Sequence, residues 1–292
     1  MSAGGRGPWL MGRAVIMVDM TSFRGSVQPP RPQSRSQSPA RPPDWLPAIR
    51  TVEVDRPWVW LASAWQDMMA APVISVAYGG LAVISSFVLV VGLAMMDMEY
   101  LLLPMAAGFM LVGPLFAVGL YETSRLLELG ERPTFGKVVA AYRRNGVQIA
   151  GIGMVLMLAL LAWIRVAFLI FALFFSGEPP ALDQLVDRIF FSAETIPFLL
   201  TGTLFGGIIA SAVFSIAAVS VPMLLDRETD VFTAMATSIA VVRANIRPMI
   251  GWGFLIALFM SAGMVTGFLG LAIALPVVGH ASWHCYRDLV GR

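Results

Sequence analysis

From residue 249 to residue 285 the chain is apolar with almost no interruption, and shorter apolar runs lie near 73–95, 101–123, 148–174 and 197–224. About 20 consecutive apolar residues span the ~30 Å hydrocarbon core of a bilayer as a helix. The runs are continuous and do not alternate, which excludes a transmembrane β-barrel and leaves helices as the spanning element. As one helix, 249–285 would be ~55 Å long, far more than the core needs. It therefore reads as a tight hairpin turning around Gly263 to Gly270. The expected fold is an all-α polytopic bundle of about six spans. Composition agrees: 58% of residues are hydrophobic, 13% are charged and mean hydropathy is +0.77. Soluble domains average about 25% charged residues.

The basic residues are distributed by topology. Eight arginines precede residue 72. Arg125, Arg132, Lys137, Arg143 and Arg144 fall in the 124–146 loop, and Arg227, Arg243 and Arg247 in the 225–248 loop. The alternate connections are poor in them: the 96–100 turn has Asp97 and Glu99, and 176–196 has Glu178, Asp183, Asp187 and Glu194 against Arg188. By the positive-inside rule the basic segments and both termini are cytoplasmic. The net charge of +2 thus reports orientation, and no nucleic-acid partner is expected. Residues 1 to about 48 are rich in Pro, Ser, Gln and Arg and read as a disordered tail ahead of a membrane domain over 49–291. The opening stretch lacks the pattern of a signal peptide. A single cysteine rules out an internal disulfide.

Three segments on the basic side have apolar residues at helical spacing and lead directly into a span. "DRPWVWLASAWQDMMAAP" places Trp58, Leu61, Ala62, Trp65 and Met69 together, with Asp55 as N-cap. "RPTFGKVVAAYRRNG" follows Thr134 as cap, and "TDVFTAMATSIAVVRANIRP" follows Asp230 or Thr229. Such helices lie in the membrane interface. Each opens a unit of interfacial helix, span, span, and each second span has a proline in its inner half: Pro114, Pro222 and Pro276. This suggests a threefold pseudo-repeat. The competing reading is that any inner helix end carries Pro and Arg.

Residues able to carry chemistry are few. His280 and His284, the only histidines, sit four apart on one helix face beside the only cysteine, Cys285. That spacing could hold a transition metal, with Glu122 and Asp226 as partners if the second spans converge, or offer an axial haem ligand. Cys285 points about 100° away from His284. The blander reading is a group of polar tips at a membrane boundary, and nothing else in the sequence calls for a cofactor. Arg165 lies within an apolar run. It is either an anion or substrate contact, or an arginine that snorkels or pairs near the outer surface with Glu194 or Glu178. The span 202–220 is rich in Gly, Ala and Ser, which suits close helix approach at the bundle centre or the lining of a pore. The 18 methionines are scattered and suit gap filling. No catalytic motif is present, so no enzyme activity is expected.

Several stretches together resemble a bacterial family of integral membrane proteins catalogued as domain of unknown function 2189. They are "RPWVWLASAWQDM" (56–68), "GPLFAVGLYETSRLLELGERP" (113–133), "VPMLLDRETDVFTAMATSIAVVRAN" (221–245), "GWGFLIALF" (251–259) and "LPVVGHASWHCYRDLV" (275–290). The resemblance covers roughly 50–291 and implies a bacterial inner-membrane protein with no established activity. The functional expectation is a non-catalytic accessory or assembly factor for a membrane complex, in contact with the lipid bilayer and other inner-membrane proteins. The alternatives are a small-solute transporter or channel, and a metal- or haem-binding protein.

Overall fold

The structure, a computed structural model, describes residues 47–175 and 195–291. The tail expectation falls almost wholly outside them, as does the acidic connection containing Glu178 and Glu194. Eleven α-helices follow in the described residues: α1 (Arg56–Ala70), α2 (Pro72–Met95), α3 (Leu102–Phe116), α4 (Val118–Glu128), α5 (Phe135–Arg144), α6 (Gly146–Phe174), α7 (Thr195–Ala217), α8 (Ser220–Asp226), α9 (Val231–Ala244), α10 (Ile246–Val265) and α11 (Leu271–Leu289). A short 3-10 turn, Glu99–Leu101, precedes α3.

Five segments are long and apolar enough to cross a membrane: α2, α3 with α4, α6, α7 with α8, and α10. The segment expected as the sixth span is helical, α11, but its C-terminal half carries His280, His284, Arg287 and Asp288. It is not apolar enough to qualify alone, and most of its side chains are buried by neighbouring helices. The hairpin turn occurs where expected, at Thr266–Gly270, with Gly267 at φ +64°. There Gly263 and Gly270 approach so closely that a Cβ on Gly270 would lie 2.8 Å from the Gly263 Cα.

The second spans are interrupted near their prolines. α3 gives way to α4 at Ala117, three residues beyond Pro114. α7 gives way to α8 at Ala218 and Val219, where the Pro222 ring would meet the carbonyl four residues back. Pro276 sits inside a continuous α11.

The three interfacial helices form as read. Asp230 caps α9 by accepting from the Phe232 and Thr233 amides, and Thr134 caps α5 by accepting from Lys137 N. Asp55 occupies the N-cap position of α1 but makes no capping bond, and Pro57 fills the first turn instead. The apolar stripe read on α1 is one of two apolar faces. Trp60, Leu61, Ala64 and Met68 are buried, whereas Trp58, Trp65 and Met69 point outward.

Each interfacial helix meets its span through a single residue, and the three joints share one backbone conformation. Ala71 has φ −128°, ψ 56°; Asn145 has φ −133°, ψ 48°; Asn245 has φ −127°, ψ 42°. The packing is cyclic: α5 lies on α4, α9 on α7 and α8, and α1 on α11. Asn145 Nδ2 donates to the carbonyls of Leu224 and Thr229, just ahead of α9. Asn245 Nδ2 donates to Arg50 O, and its Oδ1 accepts from Val52 N, just ahead of α1. Each joint asparagine therefore ties its own unit to the approach of the next interfacial helix.

Candidate functional site

Two features stand out: a polar hub built by α11, and an apolar cavity beside it. Nearly every polar side chain from His280 to Asp288 reaches a different element. His280 is fully buried between Ser75 of α2 and Ser124 of α4, at 3.0 Å from Nε2 and 2.8 Å from Nδ1. Ser75 Oγ already donates its proton to Ala71 O, so it accepts from Nε2–H. That leaves Nδ1 to accept from Ser124 Oγ–H. Both nitrogens are occupied, and an Nε2–H imidazole satisfies both contacts.

One turn later, His284 Nε2 sits 2.8 Å from Asp67 Oδ2 of α1. Trp283 Nε1 donates to Glu128 at 3.2 Å. Tyr286 donates to Asp226 at 2.7 Å and accepts from Arg227 Nε at 2.9 Å. Arg287 pairs with Glu128 at 2.8 Å and with Asp226 at 3.3 Å. Asp288 accepts from Arg56 Nε at 2.6 Å and Trp60 Nε1 at 3.0 Å. Cys285 is buried as a free thiol. Arg287 thus joins the ends of α4, α8 and α11, the C-terminal ends of the three second spans. These ends enclose a small recess lined by Arg125, Glu128, Asp226, Arg227, Trp283 and Arg287.

The sequence placed Glu122, Asp226, His280 and His284 in one candidate cluster, and the structure gives them separate surroundings. Asp226 does meet α11, through Tyr286 and Arg287. Glu122, 1% exposed, is clamped by Arg125 at 2.7 Å and Arg144 at 3.0 Å. His280 faces serines and His284 faces Asp67. Among the described residues no group of three or more His, Cys, Asp and Glu side chains is arranged to hold a metal ion. Ser75, Ser124, Asp67 and Glu128 escaped the sequence reading. Ser75, a hydroxyl among apolar residues near the start of a span, was the visible signal.

Arg165 is exposed on α6. The lining residues Trp163, Ala167 and Phe171 mark the cavity side of that helix, and Arg165 is not among them. Its expected partners Glu178 and Glu194 lie outside the described residues. Measured from Gly146 at the interfacial joint, ~30 Å of α6 ends near residue 166. Arg165 is thus within reach of the headgroups on the far side.

The cavity has a volume of about 910 Å³ and lies between α7 and the α10–α11 hairpin, with α3 and α6 behind it. Its walls are mostly apolar, with Trp163, Phe214, Met249 and Trp252 prominent. The Gly- and Ala-rich span was expected at the bundle centre. The other expectation was the lining of a pore: α7 lines the cavity over most of its length, with Val213 and Ala217 buried, and Ser220–Leu225 beyond it are buried as well. Of its glycines, Gly206 packs closely on the Trp163 ring, where a Cβ would meet carbons at 3.0 Å. At Gly202 and Gly207, which also line the cavity, a Cβ would find nothing within 4 Å.

Comparison with known families agrees with this architecture. Residues 102–226 match the family model described as Predicted integral membrane protein (DUF2189). The DUF2189 match runs from α3 to the end of α8, shorter than the 50–291 implied by the resemblance. It leaves out α1 and α11, and with them the string Gly279–Asp288. Searches of curated proteins and of solved structures returned no match. With five apolar spans and the DUF2189 segment, the chain is a multi-pass integral membrane protein in contact with lipid.

Proposed function

We propose that this chain is a non-catalytic accessory or assembly factor of a bacterial inner membrane, with its basic end cytoplasmic. The observation that carries the reading is the two-sidedness of α1. One face is anchored to α11 through Trp60, Leu61 and the Arg56–Asp288 pair. The other presents Trp58, Val59, Trp65 and Met69, continuous with exposed Val73 and Val76 of α2. A helix fixed so firmly on one side, with indoles exposed on the other, suits an interface with another membrane protein. The cyclic packing and the shared joints support a threefold pseudo-repeat as the scaffold that holds this face.

A photoreactive residue replacing Trp65 tests the reading in native membranes. It should crosslink to one defined membrane protein, whereas the same residue replacing Val88, exposed midway along α2, should give lipid adducts. Lipid adducts alone at both positions would refute the interaction.

The cavity favours a second reading, a transporter or channel, and its apolar walls suit hydrocarbon better than a polar solute. Solute flux in proteoliposomes that is abolished by Arg165→Ala would support it. A metal or haem at His280 would have to displace Ser75 or Ser124 from a ring nitrogen, whereas Asp67 engages His284 through Nε2 alone. Metal analysis with an optical spectrum, on wild type and His280→Ala/His284→Ala, checks that reading.

A further inference from the structure

The bundle has three places where a second span faces the first span of the following unit. Two are closed. α11 packs on α2, with Gly79 so near that a Cβ would sit 2.1 Å from Ala272 O. α3 packs on α6, where Trp163 Nε1 donates to Pro104 O at 2.8 Å and Gly108 lies under Leu160. The third, between α7 and α10, stands apart. The Phe214 ring reaches α10 at Gly253, 3.7 Å from where a Cβ would be, and beyond it lies the cavity.

The size of the cavity selects its occupant. Its lining runs along α7 from Phe198 to Ala218, a length of about 30 Å. Averaged over that length, the volume gives a section of roughly 30 Å². Carbon atoms in contact lie about 3.5–4.0 Å apart, so one or two extended hydrocarbon chains fit the section. Exposed lining residues include Leu199 and Ala210 on α7 and Ile250 and Phe254 on α10. The opening therefore borders bilayer hydrocarbon, and a lipid tail can enter sideways without crossing water.

The glycines point the same way. A helical glycine costs about 1 kcal/mol relative to alanine, and in membranes it is usually offset by close helix packing. Gly206 has that packing against Trp163. Gly202 and Gly207 face open space, and what they provide is room.

We propose that the gap between α7 and α10 is a binding site for the hydrocarbon tail of a membrane lipid. The site is independent of the α1 face, so either can fail alone. The test is to purify the full-length chain in mild detergent, wash it extensively, and quantify retained lipid by mass spectrometry. Gly207→Phe and Gly202→Leu obstruct the site from separate positions, so one folded variant suffices. Gly92→Leu, on α2 outside the cavity and equally free of neighbours, is the control.

Wild type and Gly92→Leu should retain a lipid near one per chain, and the obstructed variants should lose it by about tenfold, equivalent to ~1.4 kcal/mol. The mass of the retained species separates an acyl from an isoprenoid tail. Folded wild type free of lipid, equal retention in the obstructed variants, or a polypeptide held at the site in place of lipid would each overturn the proposal.

Discussion

The gap between α2 and α11 and the gap between α7 and α10 use the same residue to opposite ends. At Gly79 the missing side chain lets two backbones touch, and the helices lock. At Gly207 the missing side chain faces nothing, and the helices stay apart. Both lie in apolar helices and both look like small-residue packing sites in the sequence. What separates them is the partner. α11 brings a polar half that must find Ser75, Ser124 and Asp67, and this fixes its depth and rotation against α2, α4 and α1. α10 offers α7 a largely apolar surface, which hydrocarbon covers as well as protein does.

Substitutions on the two sides should therefore differ in size and sign. The largest effect belongs to Gly79→Leu. It drives a side chain into the Ala272 backbone and should destabilise by about 3 kcal/mol or more, seen as loss of folded protein in thermal unfolding in detergent. Arg287→Ala removes the cation shared by Glu128 and Asp226. Because the pair is partly exposed, about 2 kcal/mol is expected, by the same assay. Asn245→Ala should cost about 1 kcal/mol and speed hydrogen exchange at Val52 N.

A smaller effect concerns pH. Thr233, through its hydroxyl and its amide, holds the Asp230 carboxyl below the usual range, with help from the Phe232 amide. A depressed folded value means the cap stabilises above the unfolded value, and is lost as pH falls through the folded one. Exchange at Phe232 and Thr233 should accelerate below about pH 4, while Asp230→Asn, which caps without titrating, should stay flat. Smallest is Gly207→Leu. It meets no neighbour and should leave stability within about 1 kcal/mol of wild type, on the stabilising side, because leucine is the better helix former.

The helical architecture was legible because its signals are local. Long apolar runs, the cap residues Thr134 and Asp230, and the glycines around 263–270 each act within a few residues. The buried face of α1 was not legible because both of its faces are apolar, and periodicity alone cannot say which one a distant helix covers. The candidate cluster of Glu122, Asp226, His280 and His284 separated for a related reason. Spacing along α11 places both histidines on one side, but their depth decides that one meets serines and the other Asp67. The Gly-, Ala- and Ser-rich stretch 202–220 allowed both a packed and a lining role, since an open glycine and a packed glycine are spelled alike.

The position of α11 along the chain also bears on how the molecule is made. Residues 271–289 leave the ribosome after every helix they pack against. Their polar half is poorly suited to entering a bilayer alone. They cross in the company of α10, already inserted, and with Ser75, Ser124 and Asp67 waiting as partners. Until α11 arrives, Gly79 has no backbone to touch, and Glu128 and Asp226 lack Arg287 between them. Among the described helices, α11 is the one whose arrival brings the locking contacts together.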